Sequence, residues 1–160
     1  MNLKNIFITK APSSHDLVLI GGGHSQITVL KKFGMKQVPG LKITLINKNS
    51  TASYSGMIPG YIAGTYCKDE TQINLLNLCK FANARLITDD VTGIDILTKE
   101  IYLSNRSPVY YDTLSINSGG EPDINEIKGA KKYCIPIKPI SNLIQVFDKI
   151  KNKIKGINKV

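Results

Sequence analysis

The stretch that most constrains the fold is residues 17–30, LVLIGGGHSQITVL. Four apolar residues run into three glycines, and apolar side chains then return at helical spacing. A short apolar run bounded by glycine suits a strand buried on both faces, as in a parallel sheet. After Gly23, the residues Ile27, Leu30 and Phe33 recur at helical spacing, with Val29 on a flank and Gly34 as the expected stop. Pro39–Gly40 make a turn, and Leu41–Asn47 (LKITLIN) alternates like a second strand. Strand, glycine turn, helix and strand in so short a span form a βαβ unit. The expected class is α/β, with a parallel sheet.

A glycine turn in this setting can hold the phosphates of a dinucleotide. The first glycine of that fingerprint makes the tight turn, the second lets backbone approach the pyrophosphate, and the third lets helix and strand pack closely. Gly21 and Gly23 fill the first two roles. Backbone N–H groups opening the helix would then point at phosphate oxygens. Gln26 stands in the third role, where it should push the helix outward or turn its side chain to the surface. Asn47 stands where an acid usually accepts from ribose hydroxyls. Its amide can still accept, without the strength a charge adds. Lys48 beside it suits either an extra phosphate or plain solvent. His24 opens the helix, where the positive end of the dipole disfavours an imidazolium. With no paired acid, a neutral hydrogen-bonding or surface role is expected for it. The residues leave a second alternative open, a tight turn that holds no ligand.

Residues 48–70 read as a loop punctuated by Gly56, Pro59–Gly60 and Gly64, and loops this long are often functional. A helix is expected over Thr71–Ala82, with Leu75, Leu78, Cys79 and Ala82 on its apolar face. ARLITDDVTGIDI, EIYLSN and VYYDTLSIN are strand candidates, joined by the short turns LTKE and RSP into an antiparallel β-meander. Tyr110 and Tyr111 read as strand residues, one for the core and one for an edge. A final helix places Ile140, Leu143, Ile144, Phe147, Ile150 and Ile154 on one face, with Ser141 as candidate cap.

A chain of 160 residues can bury one proper core and is too short for two full-sized domains. The net charge is +9, but the lysines are scattered apart from the C-terminal DKIKNKIKGINK, whose isoleucines alternate as on a solvated helix face. Nucleic acid is therefore not the expected partner. No apolar run is long enough to span a bilayer, although peripheral membrane contact stays open. The first residues lack a long apolar region and a cleavage site, so residues 1–14 read as a short tail on a cytoplasmic protein. Cys67, Cys79 and Cys134 are widely spaced and only His15 and His24 accompany them, so neither a metal site nor a C-x-x-C pair is available. Buried or semi-buried free thiols in a reducing compartment are expected. No side chain stands out as a catalytic acid, base or nucleophile.

The order LVLIGGGHSQ, SGMIPGYIAG, YDTLSINSGGEPD and IPIKPI resembles the FAD-binding half of pyridine nucleotide-disulfide oxidoreductase-like flavoproteins. It is most similar to the NADH-dehydrogenase-like branch associated with selenide, water dikinase, with its GGGHSH turn, YSGMLPGYIAG loop and PVKP segment. The similarity covers roughly residues 15–150, and the loop motif is its most specific part. The resemblance implies a Rossmann-like FAD/NAD(P)-binding fold. It places Gly21, Gly23, His24 and Ser25 around the FAD pyrophosphate and Asn47 at the adenosine ribose. It brings Ser55, Gly56, Met57 and Ile58 towards the flavin and has Val91 offer backbone to adenine. Ser118, Gly119 and Gly120 would form the turn returning the backbone towards the cofactor, and Lys138 would be a polar group near the flavin. Each of these segments also reads as an ordinary turn or packing residue.

The resemblance also implies limits. Disulfide reductases carry a cysteine pair after the first βαβ unit, and residues 48–66 hold none. A second glycine fingerprint for NAD(P)H is expected about where the sequence stops. The expected organisation is an incomplete FAD-binding domain over residues 15–138, followed over residues 139–160 by an amphipathic helix and linker towards an absent NAD(P)H domain. The implied function is the FAD-binding portion of an NAD(P)H:acceptor oxidoreductase that is truncated and not catalytically complete alone, with NAD(P)H as donor only in a complete protein. The alternatives are a non-catalytic nucleotide-binding module needing a partner chain, and a basic interaction protein on a Rossmann-like scaffold.

Overall fold

A computed structural model describes residues 14–120 and 122–157. The expected tail therefore lies, apart from Ser14, outside the described residues. The described residues divide into two compact units, one of residues 14–50 and 76–117, the other of residues 51–75, 118–120 and 122–157.

The first unit holds the expected βαβ start. Strand β1 (His15–Ile20), helix α1 (His24–Met35) and strand β2 (Leu41–Asn47) follow one another as the periodicity predicts. With β5 (Arg85–Thr88) and β9 (Thr113–Ile116), β1 and β2 form a four-stranded parallel sheet in the order β5-β2-β1-β9. Leu19 sits in register with Leu45 on one side and Ser115 on the other. Neighbours in register share a face, so Leu19, Leu45 and Ser115 line one side of the sheet, and Val18, Ile46 and Leu114 the other. The second face packs on a three-stranded antiparallel sheet of β6 (Val91–Asp95), β7 (Glu100–Leu103) and β8 (Val109–Tyr110). Val18, Ile20, Ile46 and Ile87 meet Ile101, Leu103 and Tyr111 there in one buried cluster. Each such side chain removed from water contributes about 1.5–3 kcal/mol before the ordering cost is subtracted.

Gly34 does not stop α1. The helix runs on to Met35, and a Cβ on Gly34 would lie 2.2 Å from the Phe81 ring. That glycine is there for clearance. Each of two expected strands is interrupted. ARLITDDVTGIDI divides at Asp89–Asp90 into parallel β5 and antiparallel β6, and VYYDTLSIN divides at Tyr111–Asp112 into β8 and β9. In both, the break carries the chain from one sheet to the other. Tyr111 is buried and Tyr110 exposed.

The second unit corrects the loop reading of residues 48–70. Thr51–Ser53 (β3) pairs antiparallel with Gln72–Asn74 (β4), a tight helical turn covers Ser55–Met57, and α2 spans Ile58–Ala63. Because residues 72–74 are committed to that pairing, α3 is Leu75–Phe81 and not the longer helix from Thr71. After the short α4 (Ala130–Tyr133), α5 spans Ile140–Ile157. Ser141 lies inside its first turn and not at the cap. Ile140, Leu143, Ile144 and Phe147 pack with Ile58 and Tyr61, whereas Ile150 and Ile154 are exposed. Among the described residues no helix is long and apolar enough to cross a membrane.

All three cysteines are free. Cys79 is buried, and burial pushes its thiol up to about 11. Cys67 and Cys134 are exposed, contrary to expectation, because each lies just outside a short helix and not on a core-facing strand or helix.

Candidate functional site

The glycine turn sits at the carboxyl end of β1, between two parallel neighbours. Its entry is fixed by backbone: Gly21 N–H donates to the Ile46 carbonyl (2.8 Å), and Asn117 N–H donates to that of Ile20 (2.8 Å). Gly21 has φ +87°, a left-handed conformation that side-chain-bearing residues adopt at a cost. Gly23 is the N-cap of α1, and a Cβ there would lie 2.5 Å from the Asn117 amide nitrogen.

The helical ladder begins with Ile27 N–H donating to the Gly23 carbonyl at 3.1 Å. The amides before it, those of Ser25 and Gln26 among them, have no partner within the helix. No side chain caps this end and no acid stands in the first turn. The first turn itself thus brings no negative charge to the positive end of the helix dipole, which leaves that end suited to an anion. His24 and Ser25 are exposed there. His24 also engages a neighbour, and its carbonyl accepts from the Thr28 hydroxyl at 3.0 Å.

Asn47 acts as a clasp on this turn. Its Oδ1 accepts from Gly22 N–H at 2.8 Å and its Nδ2 donates to the Asn49 carbonyl at 2.7 Å. A carboxylate could accept the first bond but could not donate the second. The departure from the usual acid therefore has a local reason. Lys48 is exposed, with its ammonium 3.2 Å from the Asp90 carboxylate.

Gln26 overturns the surface expectation. It is 1% exposed, and its Nε2 donates to the Ser115 hydroxyl (2.9 Å) and carbonyl (3.2 Å) on β9. A small residue on β9 makes the room that a third glycine would otherwise make on α1. Its Oε1 is buried without a partner.

Val91 opens β6 with its side chain packed on the core cluster. The junction before it is held by Asp89, a residue that sequence reasoning passed over inside an apparent strand. Its carboxylate accepts from Asp90 N–H (2.8 Å), Asn105 N–H (3.2 Å) and Asn105 Nδ2 (2.9 Å), with the Arg106 Nε 3.9 Å away. Burial pushes the Asp89 carboxyl up, but these donors and the Arg106 charge outweigh it and hold it below its ordinary value. Two adjacent acids interrupting an apolar run were the signal available.

In the second unit, Ser55 and Gly56 are exposed, Met57 is half-buried and Ile58 is buried. Met57 N–H donates to the Tyr54 carbonyl at 3.1 Å, and the Gly56 Cα faces the Tyr54 ring. The segment is fastened at its far end by Tyr61, whose hydroxyl bonds the Asp148 carboxylate of α5 and whose ring meets Phe147 edge-on. Lys68 Nζ lies 2.9 Å from the other Asp148 oxygen. Asp148 pushes the Tyr61 hydroxyl up to about 12, and the Tyr61 and Lys68 bonds hold the Asp148 carboxyl down. Ser118, Gly119 and Gly120 are exposed, and Gly119 has φ +76°. Gly120 and Lys138, named separately from sequence, line one open hollow with Pro122 and Ile137.

No protein-family model matches the chain. In sequence it is 29% identical over 139 residues to the NADH dehydrogenase-like protein YutJ of Bacillus subtilis (strain 168), covering 85% of this chain and 38% of YutJ. In fold it is similar to the sulfide:quinone oxidoreductase of Aquifex aeolicus, with TM-score 0.67 and 21% identity, over 87% of this chain and 32% of that one. It is likewise similar to NDH2 of Plasmodium falciparum in complex with NADH, with TM-score 0.71 and 17% identity, over 91% and 30%. The water-forming NADH oxidase of Lactobacillus brevis gives TM-score 0.58 and 22% identity, over 75% and 28%. The fold is the Rossmann-like one of FAD/NAD(P) oxidoreductases, and the expected resemblance to NADH-dehydrogenase-like proteins is met. The chain spans well under half the length of each of these relatives.

Proposed function

We propose that these residues form the FAD-binding portion of an NAD(P)H:acceptor oxidoreductase of NADH-dehydrogenase-like type. The observation that carries this reading is the turn at Gly21–Ser25. A left-handed Gly21, a Gly23 without room for a side chain, and a helix start with no capping side chain and no acid in its first turn stand together at the carboxyl end of a parallel sheet.

In this reading Gly21, Gly23, His24 and Ser25 surround the pyrophosphate. Asn47 serves the adenosine ribose while clasping the turn. Val91, fixed by Asp89 before it, offers backbone to adenine. In the second unit Ser55, Gly56, Met57 and Ile58, the turn Ser118–Gly120, and Lys138 serve the flavin side. When bound, the isoalloxazine supplies the redox chemistry and the protein supplies its position. These residues hold a ligand; none is assigned a proton transfer or a covalent step. NAD(P)H is the donor in the complete enzyme, and its binding half comes from a further segment or a partner chain. The domain reading follows: residues 15–138 carry the FAD site and residues 139–160 lead to the nicotinamide half. We place the protein in the cytoplasm, where free thiols such as the exposed Cys67 and Cys134 stay reduced.

Titration of the purified chain with FAD, followed by flavin fluorescence and competed with ADP-ribose, tests the reading. Saturable FAD binding that ADP-ribose displaces is expected, without steady NADH oxidation by the 160-residue chain. Absence of FAD binding would overturn it, and steady NADH turnover would overturn the assignment to one half of the enzyme.

A further inference from the structure

Gln26 is the one residue of the glycine fingerprint whose chemistry the packing does not explain. The gap between α1 and β9 would accept a methionine of similar volume, with no polar atom to bury. Instead the chain carries an amide that is 1% exposed and only half satisfied. Its orientation is determined: the Ser115 carbonyl can only accept, so Nε2 must face it and Oε1 must face away. Burying that oxygen without a donor costs stability, and such a group persists where something else requires it.

What surrounds it is the glycine turn. Ser115 lies in β9 and Asn117 is the first residue past its end. Ser115 holds Gln26, and the Asn117 side chain occupies the place of a Cβ on Gly23. A polar layer of Gln26, Ser115 and Asn117 thus seats the first turn of α1, the turn that carries the Ser25 and Gln26 amides.

We infer that Gln26 is a positioning residue for pyrophosphate binding. Through Ser115 it sets where the amides of α1 stand, and its neutral amide keeps the underside of the turn free of negative charge. This rests on the FAD reading above. Asn117 belongs to the same device, by fixing the approach at Gly23.

The test compares FAD and ADP-ribose affinity in the wild-type chain, Gln26→Met and Gln26→Glu, each measured below its thermal transition. Gln26→Met keeps the volume and is expected to stay folded while losing affinity by roughly tenfold. In Gln26→Glu a carboxylate loses the donor to Ser115 and puts a negative charge beneath the turn, whereas the protonated acid restores the donor and removes the charge. Burial raises such a carboxyl, so FAD affinity of this variant should rise by roughly tenfold from about pH 8 to about pH 5.5. The profile is read as the ratio of variant to wild-type affinity at each pH, which cancels every titrating group the two proteins share. A residue that only filled space would give no such profile.

If the wild type binds and Gln26→Met binds within about twofold of it, the inference is overturned and the FAD reading stands. If the wild type binds neither probe, both fall together. Should Gln26→Met fail to fold, the pH profile of Gln26→Glu decides: a variant-to-wild-type affinity ratio that stays near one at every pH overturns the inference.

Discussion

The glycine turn of the first unit and the Ser55–Ile58 segment of the second carry sequence signatures of similar clarity, yet they are held in opposite ways. The turn is pinned by main chain on both sides and by three neighbouring side chains: Gly21 to β2, Ile20 to Asn117, Gly22 to Asn47, Gln26 to Ser115. The Ser55–Ile58 segment exposes its first two residues; Ile58 packs on α5, and beyond it the network of Tyr61 with Asp148 and Lys68 fastens α2 to the same helix. A site for a fixed charge needs donors that do not reorganise. A segment that leaves its first residues to solvent and is fastened through side chains of one helix keeps more freedom, so loss of that fastening should act locally.

The comparison can be broken most forcefully at Gly21. A β-branched residue there is forced into a left-handed conformation costing roughly 1–3 kcal/mol. Gly21→Val should lower the melting temperature of the chain and abolish FAD binding. Retention of both would show that the turn is looser than its bonds imply.

Tyr61→Phe probes the other region. It removes a hydrogen bond to a charged group, worth about 1.5 kcal/mol at this partly exposed carboxylate. Hydrogen exchange should speed up over residues 58–63 while residues 17–30 keep their protection. Equal loss in both segments would contradict the idea of a local clasp.

The last expected effect lies at Asp89, at the junction before β6 in the first unit, and is read from its pH dependence. Its folded-state carboxyl is held low, so its contribution is present above the ordinary aspartate range and is lost as pH falls through the folded value. Asp89→Asn should therefore flatten the acid limb of the stability curve, measured by urea midpoints from neutral pH downward. An unchanged limb would show that the acid sensitivity of this unit lies elsewhere.

Much of the first unit was legible because its signals are local. An apolar run closed by glycine, followed by helical spacing, defines β1, α1 and β2 with no knowledge of partners. The breaks at Asp89–Asp90 and Tyr111–Asp112 were not legible, since residues on either side have strand character and only the change of sheet separates them. The short pairing of Thr51–Ser53 with Gln72–Asn74 escaped for a related reason: neither segment is long or apolar enough to announce a strand alone. Among candidate site residues, Gly120 and Lys138 were named from separate motifs, and the fold brings them to one hollow. Ser115, on β9, and Asn117, just past its end, were passed over, although they lead directly into the Ser118–Gly120 turn.

By itself, the sequence determined the βαβ start, the glycine turn, the meander and the amphipathic C-terminal helix, because periodicity and backbone freedom are properties of neighbouring residues. Only the tertiary structure decided what Gln26 and Asn47 do. An amide in a fingerprint position reads as a departure until its partners are known, and those partners, Ser115 for one and Gly22 for the other, come from distant parts of the chain. Hydrogen bonds that span such separations depend on strand order and register, which no local pattern encodes.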